Sequence, residues 1–275
     1  MLKQAVKSEG EFDNEFFDYL RCAINELCDE LAEKFGLYTS RGEPRRAFIL
    51  DTLMKYSCYG CIMKVLTHQR KGDRADALYA QNHRLAVNLL VEELRRHLKK
   101  AGLKPNVEGE VKGLFGRPDI VVRATPTGII IEVAKSLEIV IEVKTGAGFT
   151  YEQVFRYLIE RPNAVLVLWR VTRRQIIVID GGKIRGLLLM VMEAALNRGT
   201  AILNGDYEEC SHNPVRNEPY VIEDAQCLVD DFLSALAETI PSVVETVLGI
   251  IRSRLEDAAS QQKLEAEKHS KKQYM

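Results

Sequence analysis

The sequence has no long apolar run and little cysteine. No stretch approaches the roughly 20 consecutive apolar residues that a membrane-spanning helix needs. The first residues, MLKQAVKSEGEFDNEF, contain no apolar core of the kind a signal peptide has. Six cysteines in 275 residues are too few for a disulfide scaffold, which fits a reducing compartment. We therefore expect a soluble, cytoplasmic protein without membrane partners.

Several common catalytic motifs are also missing. Neither the phosphate-binding loop GxxxxGKS/T nor GxGxxG occurs, so we expect any ATPase or helicase activity to come from a partner chain. The GxSxG elbow of serine hydrolases is absent, and no cysteine lies in a recognisable nucleophile context.

Charge is nearly balanced overall but unevenly distributed along the chain. The formal net charge is −1, yet residues 41–104 carry 14 lysines and arginines against 6 acidic residues. Residues 206–275 show the reverse, with 7 basic against 14 acidic residues. The basic region fits either a surface that faces phosphate or the solvated faces of amphipathic helices, and both interpretations stay open.

Hydrophobic periodicity predicts the order of helices and strands. Apolar residues at three- and four-residue steps predict N-terminal helices at 11–36, 45–69 and 74–101. Short β-branched runs then predict three strands, a helix at 150–160 and two more strands, the five runs being DIVVRA, TGIIIEVA, LEIVIEVK, AVLVLWRV and RQIIVID. Further helices are expected at 184–198 and at 222–268, with a break before Pro241.

This order predicts an α/β fold, in which a mixed β-sheet is flanked by helices. We expect a helical N-terminal subdomain at 1–75, a core at 76–205 and a helical C-terminal extension at 206–275.

Three charged residues stand at the ends of predicted apolar strands. Asp119 begins the strand of GRPDIVV, and Glu142 and Lys144 lie near the end of IVIEVK. Residues two apart on a strand point to the same face, so Glu142 and Lys144 project together while their neighbours enter the core. Carboxylates that hold a hard divalent cation, with a lysine beside them to set water or stabilise charge, form a minimal phosphodiester-hydrolysing site.

Pro118-Asp119, followed after twenty-two residues by Glu142-Val143-Lys144, resembles the signature of the PD-(D/E)xK nucleases. The resemblance covers roughly residues 80–180. It implies a restriction-endonuclease-like fold and a catalytic site of Asp119, Glu142 and Lys144 that uses Mg²⁺ or Mn²⁺. A chance pair of surface ion partners is the alternative interpretation.

Gln153 and Tyr157 lie four apart on the helix after that strand and resemble the QxxxY motif of RecB-type nucleases, including the CRISPR adaptation exonucleases. The resemblance gives them a role in positioning substrate. Gly116 matches a small residue three before the aspartate, and its lack of a side chain suits close approach of substrate backbone. An ordinary amphipathic helix, with Tyr157 packed at an edge, is the alternative for the helical pair.

The resemblance also implies an early metal ligand on the helix upstream of Asp119. His83 is the candidate, joining Asp119, Glu142 and the Val143 carbonyl on the ion. Other early ligands remain open: Glu92 and Glu93 are rivals, and Glu108 and Glu110 are weaker ones.

The cysteines do not match the iron–sulfur pattern of some RecB-type relatives. Cys58-x-x-Cys61 has the spacing to join Cys210 and His212 around zinc or a cluster. We expect instead buried helical cysteines, with neither zinc nor an iron–sulfur cluster.

The sequence thus predicts a Mg²⁺- or Mn²⁺-dependent deoxyribonuclease that acts on single-stranded DNA or on DNA with free ends. A structure-selective endonuclease, such as a junction resolvase or restriction-type enzyme, is one alternative. The other is a catalytically silent nucleic-acid-binding subunit of a larger complex. A homo-oligomer or a helicase or ATPase partner chain is compatible with these interpretations.

Overall fold

The computed structural model describes residues 14–67, 77–126, 137–146, 150–208, 210–212, 214 and 225–273. In chain order, the helices are α1 (Asn14–Phe35), α2 (Arg46–Lys55), α3 (Tyr59–Thr67), α4 (Ala77–Lys100), α5 (Tyr151–Glu160), α6 (Arg185–Asn204) and α7 (Ala225–Gln273). The strands are β1 (Leu103–Gly109), β2 (Ile120–Pro126), β3 (Glu138–Lys144), β4 (Val165–Arg170) and β5 (Gln175–Asp180). The protein is therefore mixed α/β, as predicted.

One five-stranded mixed sheet, in the order β1-β2-β3-β4-β5, forms the centre. Strands β3 and β4 are parallel, and the other neighbouring pairs are antiparallel. Helix α5 makes the crossover that a parallel pair requires. Strands β3 and β4 are buried along almost their whole length, because helices cover both faces of the sheet.

The two faces of the sheet have separate hydrophobic cores, and β3 contributes to both. Ile139, Ile141 and Val143 pack with α4 and α7 on one face. Val140 packs on the opposite face, in the core that α1, α2, α3, α5 and α6 share. Strand alternation therefore places Glu142 on the α5 side, and the predicted burial of Ile141 and Val143 on the other side is confirmed.

The long C-terminal helix α7 covers the sheet and does not break at proline. Its buried residues include Phe232 and Val243, on either side of Pro241, and the indole N–H of Trp169 in β4 donates to Thr239 Oγ1 at 2.9 Å. The predicted break before Pro241 is wrong. A proline inside a helix costs about 3 kcal/mol, and the apolar contacts on both sides of Pro241 offset that cost.

Other elements differ in detail from the predictions. The helix expected at 45–69 is two helices, α2 and α3, separated at residues 56–58. Strand β1, which pairs along its length with β2, was not among the three predicted strands because its polar residues weaken the apolar pattern. The strand predicted in TGIIIEVA, at 127–134, lies outside the described residues.

Two helical segments, Arg185–Asn204 and Asp231–Asp257, are long and apolar enough to cross a membrane by length and composition. Core helices of soluble proteins pass the same test. Here both segments contribute buried residues to the cores on either side of the sheet. They are weak support for a membrane location, and the cytoplasmic location stays a prediction.

Helices α1 and α6 pack tightly where Gly199 meets Leu27. A Cβ at Gly199 would overlap the Leu27 side chain, which is itself buried. We expect Gly199→Ala to lower the free energy of unfolding by about 1–3 kcal/mol through overpacking. Gly249→Ala in α7 is the matched control, since nothing lies within 4 Å of its Cβ position and alanine favours helix there. Urea unfolding measures both free energies. If it shows both variants to be more stable than wild type by the same amount, the tight packing of Gly199 against Leu27 is refuted.

Candidate active site

Asp119 is held between a strand and a helix at the start of β2. Its Oδ2 accepts a hydrogen bond of 2.7 Å from the backbone N–H of Val143 in β3. Its Oδ1 lies 3.0 Å from Nε2 of His83 in α4. The structure therefore brings the predicted early ligand to the aspartate across 36 residues of sequence.

The Val143 carbonyl lies on the same side of β3 as Asp119. The N–H of Val143 points to Asp119, and in an extended strand the N–H and C=O of one residue point the same way. Since β2 pairs with β3 only up to Ile120 and Ile141, this end of β3 lies beyond the last paired residues of that ladder. The carbonyl therefore faces the Asp119 side of β3, and its role as a metal ligand stays a prediction.

Glu142 is buried among polar groups on the α5 side of the sheet. Its Oε1 accepts hydrogen bonds from Lys144 Nζ at 2.6 Å and from Gln153 Nε2 at 2.5 Å. Its Oε2 is buried and has no hydrogen-bond donor among the described residues. The Tyr157 hydroxyl lies near this carboxylate but donates its proton to the carbonyl of Arg117. One carboxylate oxygen is therefore left for a ligand.

The electrostatics of the site favour a bound cation. Burial and, to a smaller extent, the Asp119 charge raise the pKa of Glu142 from 4.5 to about 7, although Lys144 opposes both effects. The hydrogen bond to Asp119 raises the pKa of His83. Two carboxylates in one poorly solvated site repel each other, and a divalent cation between them would relieve that repulsion. The donor set of carboxylates, carbonyl and imidazole fits Mg²⁺ or Mn²⁺.

Tyr157 connects α5 to the loop that carries Asp119. It is only 2% exposed, and its hydroxyl donates to the carbonyl of Arg117 at 3.1 Å. Gln153 donates to the same hydroxyl at 3.4 Å as well as to Glu142. Gln153 thus contacts Glu142, and Tyr157 contacts the loop that carries Asp119. The role of both residues toward substrate stays a prediction.

Removing the Tyr157 hydroxyl should loosen the Asp119 loop. Tyr157→Phe leaves the Arg117 carbonyl without its donor, which costs about 1–2 kcal/mol of stability. If Asp119 is a metal ligand, as predicted, a small displacement of it would also lower the predicted DNA cleavage about tenfold. Tyr19→Phe, on the exposed face of α1, is the control and should leave both quantities unchanged. Full cleavage activity in Tyr157→Phe would show that the bond does not position the loop.

Gly116 has a packing role in addition to the one predicted. Its φ of 152° disfavours other residues, and a Cβ would lie 2.5 Å from Nη1 of Arg156. Arg156 donates from that nitrogen to the Phe115 carbonyl at 2.6 Å. The position of Arg156 therefore leaves no room for a side chain at residue 116. The predicted approach of substrate to Gly116 stays a prediction.

Arg156 and Asp51 are structural residues of the site that sequence reasoning missed. Arg156 is buried, and its Nε lies 3.2 Å from Oδ1 of Asp51 in α2, as an ion pair without hydrogen-bond geometry. Burial raises the pKa of Asp51 to about 6, against the effect of Arg156. The one signal in the sequence is an arginine directly before Tyr157 in α5. The pair joins the N-terminal helices to the Asp119 loop.

The rival early ligands lie away from the acidic pair. Glu93 pairs with Arg96 and His97 on the outside of α4, and Glu92 is exposed. Glu108 pairs with Arg123, whereas Glu110 lies 3.5 Å from Arg117 at the rim of the loop. Of the five candidates, His83 alone contacts Asp119 among the described side-chain contacts.

The expectation that the cysteines form no metal site is wrong. The ligand atoms of Cys58, Cys61, Cys210 and His212 all lie within 4.8 Å of one another. The sequence does not predict this arrangement, because the two halves are far apart along the chain. Cys58 and Cys61 lie at the start of α3, and Cys210 and His212 follow α6. The structure places a zinc-type donor set here, against the prediction that zinc is not a cofactor.

Comparison with protein-family models, with curated proteins and with solved structures gave no match for this chain. The functional interpretation therefore rests on the site's own geometry and on the sequence pattern.

Proposed function

We propose that this protein is a Mg²⁺- or Mn²⁺-dependent deoxyribonuclease of the PD-(D/E)xK type that hydrolyses DNA with free ends. One observation carries the proposal: Asp119 and buried Glu142 converge beside Lys144, with Glu142 Oε2 lacking a donor among the described residues. A lysine and two carboxylates at strand ends suit hydrolysis of a phosphodiester.

The order of the elements supports this class of nuclease. Helix α4, strands β1, β2 and β3, helix α5 and strand β4 follow one another. The acidic residues lie where the start of β2 meets the end of the antiparallel strand β3. We propose that this part is a restriction-endonuclease-like core. Helix α7 and the N-terminal helices then cover its two faces, which gives the additions a structural role.

Each site residue has a role in the proposed reaction. Asp119, Glu142 Oε2, the Val143 carbonyl and His83 would hold the ion. When bound, the ion polarises the phosphate and lowers the pKa of water. Lys144 orients the attacking water, which loses a proton to solvent as its oxygen forms the new bond to phosphorus, while the bond to the leaving deoxyribose oxygen breaks. The leaving oxygen takes up a proton, giving a phosphomonoester and an alcohol.

A groove beside the Asp119 loop supplies a path for the DNA backbone. It has a volume of about 550 Å³ and is lined by Arg45, Lys112, Gly116 and Arg117, among others. Glu43 offsets part of this positive charge by pairing with Lys112 at 2.5 Å. Arg117 also has an acidic neighbour, Glu110, at 3.5 Å. DNA phosphates bound in the groove would compete with these carboxylates for the basic side chains, and such contacts supply affinity without sequence preference.

The proposal is tested with purified full-length chain and four DNAs: linear and circular, each single-stranded and duplex. We expect linear DNA to be degraded with Mg²⁺ or Mn²⁺ and to survive in EDTA, with circles spared. Glu142→Gln is the matched control against contaminating nuclease and should be inactive. Nicked or linearised circles would favour a structure-selective endonuclease. Binding without cleavage under any metal would overturn the proposal and favour a silent binding subunit.

A further inference from the structure

We propose that Cys58, Cys61, Cys210 and His212 bind one structural zinc ion, at a site separate from Asp119 and Glu142. The four ligand atoms lie within 4.8 Å of one another, and the thiols of Cys61 and Cys210 are 3.5 Å apart. Three thiolates and one imidazole form a common structural zinc set. A tetrahedral ion with Zn–S bonds of about 2.3 Å separates its sulfurs by about 3.8 Å, which matches this spacing.

The size of the cluster favours a single ion over an iron–sulfur cluster. The ligands of a multi-iron cluster must surround several metal atoms and their bridging sulfides. Donor atoms that are all within 4.8 Å of one another enclose space for one ion. All three cysteines are free, so a disulfide does not compete for them in this structure.

Backbone packing brings the two halves of the site together. Cys58 accepts the first helical hydrogen bond of α3, from the N–H of Ile62, so Cys58 and Cys61 stand in the first turn of that helix. Gly60 lies between them, and a Cβ there would be 2.8 Å from the backbone nitrogen of Cys210 and 2.9 Å from Glu208 O. This close approach admits only glycine without a shift of the backbone.

A lysine supports the ligands from outside the cluster. Nζ of Lys64 donates to the carbonyl of Cys210 at 2.5 Å and to that of His212 at 2.9 Å. A zinc ion with three thiolates and a neutral imidazole carries a net charge of −1, which the ammonium of Lys64 and the positive N-terminal end of α3 both stabilise. Lys64 therefore holds the segment that carries Cys210 and His212 in place beside the other two ligands.

The ion would fasten the chain after α6 to the N-terminal helices. Lys34 Nζ donates to Ile202 O and Leu203 O at the end of α6. At residues 210–212, this segment contacts Lys64 and Cys61. Since metal bound only by the folded chain adds its binding free energy to folding, the site would stabilise this corner of the protein.

Metal analysis of the purified full-length protein tests the proposal. We expect about one zinc per chain, which falls at least fivefold in Cys210→Ser and stays unchanged in Cys22→Ser, an exposed cysteine of α1. Chelation should lower the melting temperature of wild type by roughly 5–10 °C and of Cys210→Ser much less.

Cobalt substitution decides the case even if Cys210→Ser fails to fold. Co²⁺ added to zinc-depleted wild type should give the absorption of a tetrahedral thiolate site, and zinc should displace it. Iron with acid-labile sulfide, a Cys61–Cys210 disulfide, or a zinc-free protein of unchanged melting temperature would each overturn the proposal. Because these readouts do not involve DNA cleavage, they stand independently of the proposed nuclease activity.

Discussion

Replacing Lys144 with methionine is expected to lower the DNA cleavage rate by about 10³-fold or more. The ammonium group contacts Glu142 at 2.6 Å, and in the proposed reaction it orients the water and stabilises charge on the phosphate. Methionine keeps much of the side-chain volume, so the fold should survive. Single-turnover rates with saturating Mg²⁺ separate this chemical effect from weaker DNA binding.

Lys183→Met is the matched control, because Lys183 is exposed and lies in the turn between β5 and α6. It should cleave at the wild-type rate. We also expect Lys144→Met to bind linear DNA within about threefold of wild type, since most of the affinity comes from phosphate contacts elsewhere. If Lys144→Met retained wild-type cleavage, the lysine would be only a structural partner of Glu142.

Arg156→Met is expected to have the largest effect on stability, about 3–5 kcal/mol in the free energy of unfolding. The substitution removes the donor to the Phe115 carbonyl and leaves Asp51 partly buried without its counter-ion. It also removes the guanidinium that lies 5.2 Å from the centre of the Tyr157 ring. Urea unfolding measures the loss, and Arg252→Met, at an exposed position of α7, is the control. An effect under 1 kcal/mol would show that the arginine is dispensable beneath the loop.

The titration of Asp51 gives this part of the protein a pH dependence. Burial raises its pKa from 3.8 to about 6, so the folded chain holds the Asp51 proton more strongly than the unfolded chain. The stability from this group is fully present below about pH 4 and is lost as pH rises through about 6. Asp51→Asn should therefore flatten the fall in stability between these pH values. Parallel pH profiles of wild type and variant would contradict this expectation.

The central part of the fold was predictable from local patterns. The alternation in β3 put Ile141 and Val143 on one face and Glu142 and Lys144 on the other, because buried strands have a strict two-residue period. The edge strand β1 was missed, since partial exposure removes the need for an apolar pattern. Pro241 was read as a helix break because proline propensity is local, whereas the contacts of α7 with the sheet are not.

The acidic residues of the candidate site were found because each lies at a strand end in a short motif. Arg156 and Asp51 were missed since neither belongs to a motif, and their pairing joins helices more than 100 residues apart. The cysteine–histidine cluster was dismissed for the same reason. Its two halves are 149 residues apart, and only packing of the segment after α6 on α3 brings them together.

Metal binding by the acidic pair tests the central claim most directly. Mn²⁺ titration followed by electron paramagnetic resonance should be made on wild type, Asp119→Asn and Glu142→Gln, with zinc supplied beforehand so that the cysteine cluster is filled. Asparagine and glutamine keep the side-chain size while removing the negative charge. We predict that either substitution weakens Mn²⁺ binding about tenfold or more. Equal Mn²⁺ affinity in all three proteins would contradict the account, leaving Asp119 and Glu142 as structural residues.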